Sequence, residues 1–145
     1  MPVRYGKNLI VVGSPSSTSR AVREEGNLSV ASMPGTVGRF DENQNFIPGN
    51  TGDLYILDRD FLRGKTAQEE IPEGQHICAV SNKPKLFLNC LMEKGLDIRI
   101  RYEVYVTDQG LITNVKPSET AKVFGHAAES VVTTDTHKLI VIHIA

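Results

Sequence analysis

The sequence contains no tryptophan, and it has only two cysteines among its 145 residues. Its 16 Lys and Arg nearly balance its 17 Asp and Glu, which leaves a formal net charge of −1. This near neutrality argues against a polybasic nucleic-acid binder, and the 40% content of hydrophobic residues argues against a disordered acidic chain. A chain of this length can bury an adequate core as one domain without disulfides or metals.

Long apolar runs are also missing from the sequence. The longest early run covers residues 9–12, far short of the roughly 20 residues that span a bilayer or the roughly 7–15 of a secretory signal. We therefore expect no membrane partner. Cys78 and Cys90 do not form a Cys-x-x-Cys pair, so the sequence favours two small buried residues over a zinc or redox motif.

Glycine, proline and charge are concentrated unevenly along the chain. Residues 1–40 carry five Lys and Arg against two Glu, a net of +3, although the whole chain is close to neutral. Residues 13–20 contain no apolar side chain, and the next stretch keeps no period of 2 or 3.6. We interpret residues 1–35 as an extended N-terminal arm with a short strand at 9–12, followed by an all-β domain over residues 36–145.

From residue 36 onward, short β-type runs alternate with residues that favour tight turns, which is typical of an all-β domain. The predicted strands cover residues 36–40, 53–57, 76–80, 86–92, 96–106, 111–114, 121–128 and 138–144.

The clearest strand pattern lies at residues 96–106, where six apolar side chains recur at every second position. Residues 108–110 then favour a turn, so residues 111–112 are predicted to pair back as a hairpin. Residues 139–144 are apolar on both faces except at His143. This pattern predicts an interior C-terminal strand that is covered on both sides.

Two segments could instead hold helices. Residues 60–70 could begin with Asp60 as the N-cap, although Gly64 weakens a helix there. Residues 118–129 could also be helical, but Gly125 and the valines that follow favour a strand.

No recognisable catalytic or metal motif is present. His76 and Cys78 share one face of a predicted strand, but two ligands alone are weak evidence for zinc. His126, His137 and His143 are scattered and form no Ser-His-Asp pattern. We therefore expect no catalytic residues, no metal and no cofactor, and we expect a protein that is not an enzyme.

A modest basic patch is predicted on the polar face of the strand at residues 96–106. Arg99, Arg101 and Tyr105 could accept a single nucleic-acid strand, but Asp97 and Glu103 alternate with them. A salt-bridged sheet surface is the better interpretation, and we expect no direct contact with nucleic acid.

The order of these elements resembles the capsid decoration (cement) proteins of tailed bacteriophages over residues 30–145. The resemblance rests on a polar arm followed by segments 35–41, 72–74, 108–111, 127–129 and 139–144. It implies a small β-sandwich or barrel-like (β-tulip-like) domain with an extended N-terminal arm. The chain departs from the family pattern at Arg101-Tyr102-Glu103, and it is longer at its front end.

The resemblance further implies a virion structural protein that is made in the host cytoplasm and binds the capsid exterior, where it stabilises the expanded head. Its expected partners are the major capsid protein and other copies of itself in a homotrimer. An extended arm can add a strand to the open edge of a neighbouring sheet. The candidate capsid or inter-subunit contacts are Leu9, Ile10, Val11, Val12, Arg20, Arg23, Leu28 and Val30.

Two other functions remain open at this stage. The first is a small β-domain that binds a glycan or receptor on a phage tail or head, although the chain has only four Tyr and five Phe for sugar stacking. The second is a hydrolytic or nucleotide-processing enzyme, for which bound metal would be the simplest supporting observation.

Overall fold

The computed structural model describes residues 6–13 and 21–145, and its described part is all-β, as the sequence predicts. A single 3-10 turn, Phe61–Arg63, interrupts the strands in this part of the chain. The strands are β1 Val11–Gly13, β2 Arg23–Leu28, β3 Val37–Phe40, β4 Asn45–Pro48, β5 Tyr55–Leu57, β6 His76–Ser81, β7 Phe87–Met92, β8 Asp97–Ile98, β9 Glu103–Val106, β10 Ile112–Thr113, β11 Gly125–Ala127, β12 Val131–Val132 and β13 Lys138–Ile144.

The strands form two main sheets and a small two-stranded one. Five strands close into a barrel in the order β2-β4-β3-β5-β6. The other main sheet has the order β1-β7-β10-β9-β11-β13, and β7 also pairs with β13, so that β1 is left as an edge strand beside a closed ring. The short strands β8 and β12 pair separately.

Two hydrophobic cores follow from the alternation of side chains along the barrel strands. In β5, Leu57 belongs to the barrel's own core, whereas the adjacent Ile56 belongs to the larger core that the barrel shares with the six-stranded sheet. In β6, Ala79 and Val80 divide in the same way. The larger core therefore joins the two sheets into one packed body.

The predicted C-terminal strand is confirmed with its bounds unchanged. β13 lies inside its sheet, where it pairs with β7 on one side and β11 on the other. The predicted hairpin at residues 108–110 is also confirmed, because β10 pairs antiparallel with β9. Gly110 adopts a φ of +81° at this turn, and a Cβ there would lie 2.0 Å from the carbonyl oxygen of Val37.

The prediction of one strand over residues 96–106 is wrong. The chain forms β8, turns at residues 99–102 and resumes as β9. Arg101 has a φ of +74°, and its N–H donates to the carbonyl of Ala127 at 2.7 Å. Ile100 and Tyr102 are consequently 53% and 47% exposed, instead of lying on the core face that their spacing predicts.

The strand predicted at residues 121–128 is reduced to β11, and neither alternative helix forms. In the segment at residues 60–70, helical structure is confined to the single turn Phe61–Arg63. The side chain of Asp60 makes no capping bond there, and Gly64 ends the turn with a φ of +71°.

Residues 21–35 are not an extended arm in the structure. β2 pairs antiparallel with β6 and parallel with β4, which makes it a full member of the barrel. Leu28 lies in the barrel core, and Ala21 and Met33 pack against the larger core. The sequence predicted none of β2, β4 and β12.

Within the described ranges, no helix has the length and apolar character needed to cross a membrane.

Candidate interaction surface at the N-terminal edge strand

Asn89, at the centre of β7, holds the N-terminal segment against the domain. Its fully buried side chain donates from Nδ2 to the carbonyls of Gly6 at 2.8 Å and Leu9 at 2.9 Å, and its Oδ1 accepts from Nζ of Lys7 at 3.1 Å. The side chain of Ile10 is fully buried in the larger core. Residues 6–10 are therefore fixed by polar bonds and by apolar burial together.

An ion pair strengthens the same attachment. Lys7 contacts the carboxylate of Glu129, and the Oε2 atom of Glu129 also accepts a hydrogen bond from the backbone N–H of Val141 at 2.9 Å. Val141 is the register partner of Asn89, so its hydrogen bond holds Glu129 close to the second polar partner of Lys7.

The pairing of β1 with β7 leaves backbone groups at the sheet edge. The N–H of Asn89 donates to the carbonyl of Ile10 at 2.8 Å, so this carbonyl points toward β7. Val11 and Leu88 form the next pair, and in an antiparallel ladder this alternate pair points its N–H and C=O groups away from the partner strand. The N–H and C=O of Val11 consequently face away from β7, on a side where no other strand of the described residues pairs with β1. The β1–β7 register shifts between Val11 and Gly13.

A groove of about 350 Å³ lies beside this edge. Leu9 and Phe61 are 52% and 40% exposed, and both line this groove. The groove is lined by Leu9, Ile10, Val11, Arg23, Asp58, Arg59 and Phe61.

The groove contains two guanidinium groups and one carboxylate. Nε of Arg23 donates to Oδ2 of the buried Asp58 at 3.1 Å, and Oδ1 of Asp58 accepts from the backbone N–H of Arg59 at 2.8 Å. Arg59 donates its own side chain only to the carbonyl of Lys65, at 3.0 Å, and it has no carboxylate partner among the described residues. The groove therefore has a net positive charge with an uncompensated guanidinium.

The structure brings together four of the eight contact residues that the sequence suggested: Leu9, Ile10, Val11 and Arg23. Ile10 and Leu28 are buried in the cores, whereas Val12 is half-buried in β1 and Val30 is half exposed away from the groove lining. Arg20 lies outside the described residues.

Phe61 and Arg59 belong to the groove, but no feature of the sequence marked them as contact residues. They lie about 50 positions from Leu9 along the chain, and no local pattern connects the two segments. The apolar pair Phe61-Leu62, which directly follows Asp58-Arg59-Asp60, is a weak sequence signal for this position.

Histidine and cysteine side chains outside the groove were considered as possible metal or catalytic sites. His126 and His143 are register partners on β11 and β13, and the ring of His143 stacks on Phe87 with centroids 4.5 Å apart. The described parts of the chain contain no cluster of three His, Cys, Asp or Glu side chains that could hold a metal ion. Cys78 and Cys90 are free and buried, and burial raises the pKa of both thiols.

Comparison with known proteins shows a likeness of fold to a solved structure. No family model and no curated protein sequence matches the chain. Among solved structures, the chain is similar to the head fiber gp8.5 N base in bacteriophage phi29, with a TM-score of 0.51 and 13% identity. The match covers 87% of this chain and 95% of that one. At this level of identity, the likeness shows a shared fold.

Proposed function

We propose that the protein is a non-enzymatic structural protein of a bacteriophage virion, which binds the outer surface of the head and stabilises the expanded capsid. One observation carries this proposal: the fold is shared with almost the full length of a phage head fiber base. A fold alone does not define a function, but the order of elements along the sequence independently resembles capsid decoration proteins.

The proposed partners are the major capsid protein and other copies of this chain in a homotrimer. Attachment through strand edges and apolar contacts needs no cofactor and no catalytic group. A particle presents many identical binding positions, so modest contacts at each copy become effective when subunits are linked.

We place the capsid contact on the outer side of the docked N-terminal segment rather than on a released arm. Releasing residues 6–13 would expose Ile10 and separate Lys7 and Asn89 from their partners. The docked segment still presents Leu9 and the open edge of Val11. Deletion of residues 1–20 would remove Ile10 from the core, so point variants provide a cleaner test.

Binding to purified expanded heads that lack the protein tests this function. The full chain should sediment with the heads, reach saturation at a fixed number of copies per particle, and raise the temperature at which the heads release DNA. Bovine serum albumin at the same concentration provides the background. Absence of saturable sedimentation would overturn the proposed function.

A further inference from the structure

Two backbone groups of Val11 lie at the outer edge of β1. The N–H and C=O of Val11 point away from β7, and among the described residues no hydrogen bond to either group is present. Exposed strand edges favour pairing with another chain, and proteins usually block them when they serve no purpose. An extended peptide can satisfy both groups at once.

The walls of the groove define the side chains that such a peptide would carry. Leu9 and Phe61 are distant in the sequence, and both provide exposed apolar surface in the groove. Arg59 provides a guanidinium that has no carboxylate partner among the described residues. An apolar side chain beside an acidic one complements this combination, because a carboxylate can form charge-assisted hydrogen bonds with a guanidinium.

Charge argues against the chain's own N-terminal region as the occupant. Residues 1–20 contain Arg4, Lys7 and Arg20 but no Asp or Glu. The same region of a second copy would therefore bring positive charge to a groove that already has a net positive charge. The charge of the groove therefore favours an acidic segment as the occupant.

We propose that the edge of β1 and its groove bind an extended acidic segment of the major capsid protein, which adds a strand beside Val11 and directs a carboxylate to Arg59. This inference rests on the proposed function and names the part of the partner that the site recognises. The backbone bonds provide affinity, and Leu9, Phe61 and Arg59 select the segment.

Two substitutions separate the backbone contribution from the charge contribution. V11P removes the outward N–H, and proline is tolerated on an edge strand where its nitrogen faces solvent. R59E reverses the charge that faces the carboxylate. K116E makes the same change of charge at an exposed lysine that does not line the groove, so it serves as the matched control.

Affinity for purified expanded heads is measured by sedimentation for the full chain and each variant, with the melting temperature as a check on folding. We expect at least a ten-fold loss of affinity for V11P and for R59E, and less than a two-fold change for K116E. If V11P fails to fold, R59E alone decides the outcome.

Binding of the wild type and of R59E to heads distinguishes a wrong binding site from a wrong function. Saturable binding of the wild type with undiminished binding of R59E would overturn the inference and leave the function intact. Absence of wild-type binding would overturn the function. Analytical ultracentrifugation of the free protein tests for a second copy in the groove. If the substitutions convert an oligomer into a smaller species, the occupant is a second copy, and the inference is wrong.

Discussion

Asn89 carries an unusual share of the tertiary hydrogen bonds of the N-terminal segment. Its side chain bonds to three different residues between positions 6 and 9, and it is fully buried. Asn89→Ala would remove the donors of the Gly6 and Leu9 carbonyls and the acceptor of Lys7, and a lost hydrogen bond costs about 0.5–1.5 kcal/mol. We expect urea unfolding to show a loss of this size, and hydrogen exchange to accelerate in residues 6–13.

Asn43→Ala provides the control for this substitution. Asn43 is exposed, and its hydrogen bond to Asp41 comes from its backbone N–H, which alanine keeps. The substitution should therefore change the free energy of unfolding by less than about 0.5 kcal/mol. Equal stability of the Asn89 variant and the wild type would mean that the polar bonds do not hold the segment.

The two thiols should react only weakly in the folded protein. Burial is the main cause that raises the pKa of Cys78, with the charge of Glu25 adding to it, and burial alone raises the pKa of Cys90 further. A raised thiol pKa means less thiolate at a given pH, and thiolate is the reacting form. At pH 8 we expect Ellman's reagent to label Cys78 slowly and Cys90 only after unfolding. Rapid labelling of Cys90 in the native protein would contradict its burial.

At the level of single elements, β2 depends on close approach of the backbone at Gly26. A Cβ at this position would lie 2.1 Å from the carbonyl oxygen of Gln44 and 2.8 Å from the ring of Phe40. Gly26→Ala should therefore destabilise the barrel by about 1–3 kcal/mol, the usual range for overpacking. Gly49→Ala is the matched control, since the nearest atom to its Cβ would be 3.8 Å away.

Thermal and urea unfolding of both glycine variants measure this effect. A Gly26 variant as stable as the Gly49 variant would show that β2 can move away from the residue 41–45 turn without cost, and the barrel would then be less tightly closed than the structure indicates.

The strands differ in how far the sequence could predict them. β13 was predicted with its correct bounds because both of its faces are buried, so its apolar run is continuous. β2 has the sequence REEGNL, and its buried positions are only Gly26 and Leu28. A barrel strand with so little apolar content produces no period-2 signal. Residues 96–106 show the opposite failure, because alternation of residue types does not reveal the turn at Arg101.

The candidate site was predictable only in its N-terminal half. Leu9 and Val11 stood out as part of the single early apolar run. Arg59 and Phe61 reach the groove because the barrel and the edge strand pack against a common core. That proximity depends on tertiary structure, which spacing along one sequence does not reveal.

In the whole molecule, the barrel and the six-stranded sheet share a core. The N-terminal segment, residues 6–13, packs against the six-stranded sheet, where β1 pairs with β7. The larger core includes Ile10 together with barrel residues and residues of the six-stranded sheet. The proposed head-binding surface at β1 therefore lies against this shared core. Such rigidity lowers the entropy cost of binding.

Electron cryomicroscopy of expanded heads saturated with the full chain locates the β-domain on the particle. We expect ordered density for the β-domain at repeated positions on the outer surface, with the β1 edge and the Leu9 groove against the shell. Bare shells at a saturating protein concentration would contradict the proposed virion role.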